Sequence, residues 1–191
     1  MRYLFVCGFL LSACLLTSGC VTIVDATTSG PIHTDPGKRS LGDKWDDGQI
    51  STIVAVNIRK ASDELASAHI NVHTFNQVVL LTGEVPSKAA YEQAGKTARA
   101  VSRVRQVYNE LQVRQDSGFF ARTGDNFLEM KIGTKLIANR DIDSSRVKVI
   151  VEDQTVYLMG MMTMVQAERI TDVVSRTSGV RKVVRAIEYV E

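Results

Sequence analysis

Beyond residue 20 the chain has no cysteine, because Cys7, Cys14 and Cys20 are its complete set in 191 residues. The folded part therefore has no internal disulfide and no thiol nucleophile. Net charge is also small: the formal balance is +2. That is too little for a nucleic-acid binder, which carries a pronounced basic excess or stripe. The one long apolar run, Tyr3 to Leu11, is too short to span a bilayer as a helix. No glycine-rich phosphate loop occurs, and no Ser or Cys is assigned a base by motif. His69 and His73 are four apart, in and just before an expected strand. That spacing puts them on one face without the third ligand of a catalytic zinc, so core-edge or solvated histidines are the expectation. No catalytic residue, metal or cofactor is expected, and neither is an enzyme.

What the chain does have is an internal repeat. Ile70 to Gly83 returns, rewritten but in register, as Val147 to Gly160, roughly 77 residues later. In each copy apolar residues alternate, a polar pair interrupts them, and a second apolar run ends in glycine. This pattern reads as a strand, a tight turn and a returning strand. The turn pairs Asn76-Gln77 and Asp153-Gln154 lack the glycine such turns favour, although Asn and Asp tolerate positive φ. Ile50, Val54 and Ile58 form a helical stripe before the first hairpin, and Leu128, Ile132 and Leu136 form one before the second. Asp46 and Asp47 are expected to cap the first of these helices. Pro86 opens a second helix, with Ala90, Ala94 and Ala98 spaced for close approach to a sheet, and residues 105–113 supply a third strand. Residues 165–177 and 180–190 repeat that helix and strand. The expectation is an α/β (α+β) protein of two tandem modules over 47–114 and 125–191, joined by a linker over 115–124. Each module is α-β-β-α-β, with two helices on one face of a three-stranded sheet.

The first nineteen residues have the shape of an export signal: one basic residue, Arg2, then the apolar run and a small-residue segment. Thr17-Ser18-Gly19-Cys20 resembles the bacterial lipobox, which implies acylation of Cys20 as the new N-terminus. Leu11-Ser12-Ala13-Cys14 has the same form, but cleavage there would leave a very short signal. Each buried methylene of an acyl chain contributes about 0.8 kcal/mol, so two or three chains make a permanent anchor. Residue 21 is Val, not the Asp that retains many enterobacterial lipoproteins in the inner membrane, which points to the outer membrane. Residues 20–46, rich in Gly, Pro and Ser, read as a flexible tether. Trp45 at its end is expected first to pack against the first module, with membrane contact as the second reading.

The element order is similar to that of the BON domain of bacterial envelope proteins. Gly83 after a Val-Leu-Leu run, Gly160 after Val-Tyr-Leu, and Gly179-Val180-Arg181-Lys182-Val183 carry the resemblance. Arg103 departs from it, standing where a glycine precedes Val104. With the lipobox, the whole chain resembles dual BON-domain outer-membrane lipoproteins. Such proteins are understood to face the periplasm, to bind anionic phospholipid through the second domain and to support envelope integrity.

The residues themselves single out the helix that begins the second module. With Leu128, Ile132 and Leu136 in the core, steps of about 100° turn Phe127, Met130, Lys131, Thr134 and Ile137 to the other side, with Lys135 beside them. An apolar patch set with lysines suits the headgroup layer of an anionic, phosphatidylglycerol-like membrane. Two other readings remain open at this point. The face could pack against the first module, where Ile53 and Val56 hold comparable positions, or it could dock an outer-membrane assembly protein. Phe119 and Phe120 in the linker are expected to extend the patch or to bury.

Overall fold

The computed structural model describes residues 37–114 and 119–191. The signal segment, Cys14 and Cys20 lie outside the described residues, as does most of the tether. The first copy contains α1 (Leu41–Ala61), α2 (Asp63–Ser67), β1 (His69–Phe75), β2 (Val78–Val85), α3 (Lys88–Arg99), β3 (Gln106–Asn109) and β4 (Gln112–Val113). The second contains α4 (Phe119–Ala138), a single 3-10 turn (Ser144–Arg146), β5 (Val147–Glu152), β6 (Thr155–Met162), α5 (Met164–Ser175) and β7 (Lys182–Tyr189). In each copy the central strand pairs antiparallel with its hairpin partner and parallel with the strand that follows the crossover helix. The third strand of the first copy is broken at Glu110 and Leu111, and its last two residues still pair with β2.

Helix α1 begins at Leu41 because Ser40 caps it. The Ser40 hydroxyl accepts from the Asp43 N–H, and the Asp43 carboxylate accepts from the Ser40 N–H, closing a capping box. The tether expected through residue 46 therefore stops at 40. Trp45 does not pack on the first module; it lies on the helix surface, 71% exposed. The linker expected over 115–124 is likewise helical from Phe119 onward.

Asp46 and Asp47 do not cap the helix either. Asp47 is buried, and its carboxylate accepts from the N–H groups of Asn76 and Gln77 at 2.8 and 2.9 Å. Asp125 at the equivalent place on α4 accepts from Asp153 and Gln154 at 2.7 and 2.9 Å. These four turn residues have φ of 50°, 65°, 48° and 58°. That is the mirror-image turn that glycine usually occupies. A buried carboxylate that fastens both turn amides to the helix keeps the turn without one. Gly83, by contrast, has no substitute. Its φ is 112°, and an added Cβ would collide with the carbonyl of His69 on the neighbouring strand.

Each sheet covers its helices with one face. Val79, Leu81 and Val85 pack beneath Ile50, Val54, Ile58 and the alanines of α3. Val156, Leu158 and Met162 pack beneath Leu128, Ile132 and Leu136. The other faces meet each other. Phe75, Val78 and Leu80 from the first sheet form a third core with Ile150, Tyr157, Met159 and Ala186 from the second. Every residue of β2 is buried, as is every residue of β6 except Met161, because the two strands are covered on both sides. The order of layers is helix, sheet, sheet, helix, and residues 36–191 make one compact unit. A short strap reinforces the join. Lys38 pairs with Asp143 at 3.6 Å, while Arg39 bonds Asp47 at 3.0 Å and lies 3.9 Å over the Phe75 ring.

Candidate functional site

The face singled out on α4 is open. Phe127, Met130 and Ile137 are 64%, 62% and 74% exposed, and Thr134 is exposed beside them. The domains meet through their sheets, and Phe127, Met130 and Ile137 lie outside that join. The two lysines lean to one flank, where the last turn of α5 ends. Lys131 donates to the carbonyl of Ser178 at 2.9 Å and Lys135 to the Thr177 hydroxyl at 3.2 Å. Cations at a helix C-terminus are favourable, and both bonds are near enough to water for the ammonium groups to exchange partners. On the other flank an apolar groove of about 430 Å³ runs between α4 and the edge strand β5. Met130, Gly133 and Ile137 form one wall, and Val147 and Val149 line it opposite. The face thus has a greasy centre, a basic flank and a groove. The backbone of Phe119 and Phe120 continues the helix.

A profile of the BON domain matches residues 46–115 and again 124–191. The chain belongs to the BON-domain family. The Haemophilus influenzae protein "Outer membrane lipoprotein DolP" is 32% identical over 186 residues, covering 96% of this chain and 95% of its own. The Actinobacillus pleuropneumoniae protein "21 kDa hemolysin" is 34% identical over 83% of this chain and 82% of its own. "Osmotically-inducible protein Y" of Escherichia coli is 31% identical over 78% and 75%. The α4 face therefore belongs to the second of two BON domains, and α1 and the Asp47 clamp to the first.

The join between the BON domains holds the groups that sequence reasoning missed. His69, Glu84 and Glu152 bring ligand atoms within 4.8 Å of one another, a grouping no local spacing could show, since it draws on three strands. Glu152 accepts from Asn71 at 2.9 Å and from Thr82 at 3.2 Å, and Arg114 donates to Glu84 at 2.9 Å. Arg114 also reaches Asp153 at 3.2 Å, and Arg105 reaches Glu188 at 2.6 Å. Protein donors already hold these carboxylates, which suits a polar seam that fixes how the sheets meet. His73 is not part of it. It lies farther along β1 among buried groups, and burial first and Lys148 second lower its pKa to about 4. Burial also lowers Lys148, against the pull of Asp47 and Glu129. Among the described residues no helix is long and apolar enough to cross a membrane.

Proposed function

We propose that this protein is a noncatalytic lipoprotein of the outer membrane, anchored through acylated Cys20 and facing the periplasm. On this reading it binds anionic phospholipid through the outer face of α4 and so supports envelope integrity. The observation that carries it is the exposure of Phe127, Met130 and Ile137 together on a helix with Lys131 and Lys135 alongside. Each lysine near an anionic surface contributes about 1 kcal/mol. That is weak for a free protein, but an anchored one is already at high local concentration. The groove along β5, on the flank opposite the lysines, gives acyl methylenes a largely apolar lining. The name of the Haemophilus influenzae relative agrees with an outer-membrane lipoprotein.

Co-sedimentation with phosphatidylglycerol vesicles tests this reading. Phe127→Ala with Lys131→Glu is expected to lower binding severalfold, and unchanged binding would remove α4 from the site. Binding to protein-free vesicles also separates a lipid surface from the rival reading, a docking face for outer-membrane assembly proteins.

A further inference from the structure

The first BON domain also presents an apolar, basic helix face, and the layer order sets it on the opposite side of the molecule. Take Val54 and Ile58, both fully buried, as the inward direction of α1. Steps of about 100° then carry Leu41, Trp45, Thr52 and Arg59 outward. Leu41 is 84% exposed and Trp45, at the centre of this side, is 71% exposed. Gly48 lies between them and Thr52. An added Cβ there would meet nothing within 4 Å, so neither packing nor backbone strain inside the protein demands glycine. Its missing side chain opens a groove of about 400 Å³. A glycine within a helix costs about 1 kcal/mol relative to alanine, and nothing within the fold offsets that here.

Charge decides what this surface suits. Lys44, Arg59 and Lys60 stand on or beside it, all exposed, and no ion pair holds them among the described residues. The three carboxylates of α1 are directed elsewhere. Asp43 closes the cap on Ser40, Asp46 pairs with Arg103, and Asp47 is buried on the hairpin turn. The outward half of α1 therefore has cations and no anion around a tryptophan. That is the composition of a helix lying in the headgroup layer of an anionic bilayer. Reach permits it. The chain from Cys20 to Gly37, where the strap on the folded body begins, extends to at most about 58 Å at ~3.4 Å per residue. A body of this size has a radius of gyration of about 15 Å.

We propose that the outer face of α1, centred on Trp45, is a second surface for anionic lipid, separate from the α4 face. Because the two helices occupy opposite outer layers, one flat bilayer meets one face at a time.

Trp45 is the only tryptophan of the chain, so its emission reports this face and not α4. The full acylated chain is reconstituted into vesicles of phosphatidylcholine alone or with phosphatidylglycerol, some bearing brominated acyl chains. The expected result is a blue shift and bromine quenching of Trp45 only where phosphatidylglycerol is present. Phe127→Glu, which disables the α4 face, leaves the quenching intact or increases it. Arg59→Glu with Lys60→Glu lowers the ratio of docked to undocked Trp45 about thirtyfold or more, at about fivefold per basic residue near the surface, with unchanged circular dichroism. Trp45 emission that is the same in both lipids, with and without Phe127→Glu, overturns the inference. In that case the α4 reading still stands if Phe127→Ala lowers co-sedimentation.

Discussion

Lowering the pH from 7.5 to 5 should weaken this protein through His73. The ring is mostly buried on β1, and the charge that acts on it is Lys148 of β5, which itself stands in the field of Arg39, Asp47 and Glu129. Its pKa falls from 6.5 in an open chain to about 4 in the fold. Between those values the unfolded chain binds a proton that the folded one refuses. Stability is therefore full above pH 6.5, falls as the pH drops toward 4, and levels off below it. At pH 5 the loss is about 2 kcal/mol, approaching a slope of 1.4 kcal/mol per unit. Burial acts on Glu129 in the opposite sense, raising its pKa, so that group offsets part of the loss at the acid end. Urea unfolding followed by circular dichroism across pH 4.5 to 7.5 measures the slope. His73→Leu should flatten it while keeping the side chain apolar and of similar size. An unchanged slope in that variant would refute the assignment, and with it the claim that the ring stays neutral between the sheets.

Asp47→Ala removes the acceptor for two turn amides and the partner of Arg39 together, and is expected to cost about 3 kcal/mol. Asp125→Ala, which removes the acceptor for two turn amides among the described residues, should cost nearer 2 kcal/mol in the same urea titration. Gln77→Gly and Gln154→Gly place glycine at φ values of 65° and 58°, and each should raise stability by up to about 1 kcal/mol. Their failure to do so would mean that the Asp clamp already removes the turn's preference for glycine. Leu80→Ala opens a cavity in the core shared by both sheets and should cost about 3 kcal/mol. Because that core belongs to both BON domains, fluorescence of Trp45 and far-ultraviolet dichroism should report one unfolding transition. Two separated transitions would count against the coupling.

Much of the fold was legible because local rules and global packing agree. The period of Ile50, Val54 and Ile58 can only be a helix burying one side, and the spacing of Ala90, Ala94 and Ala98 can only be a helix set close to something flat. The repeat then doubled every signal. Errors fell where a polar side chain acts at a distance. Asp47 looked like a cap because caps are acidic and near helix starts, yet its partners are the amides of Asn76 and Gln77, twenty-nine and thirty residues on. The Ser40 cap was hidden because Lys44 and Trp45 add no apolar residue to the inward stripe. Trp45 was expected to be inside because large aromatics usually bury, and it was placed outside by the phase of a helix that began six residues early. The second covered face does leave a mark in the sequence. The unbroken apolar runs Val78 to Leu81 and Val156 to Met159 are too greasy for strands with one wet face.

Sequence alone decided which residues face the helices of each module, because the period of a strand or helix is a property of the backbone. It also decided that α4 would carry Phe127, Met130 and Ile137 opposite its core stripe. Only the tertiary structure decided that the two sheets cover each other. That contact depends on the shape of two surfaces made by residues some 70 positions apart, as in the bond from Thr82 to Glu152. The same packing placed α1 and α4 on opposite sides, leaving Trp45 on one and Phe127, Met130 and Ile137 on the other exposed.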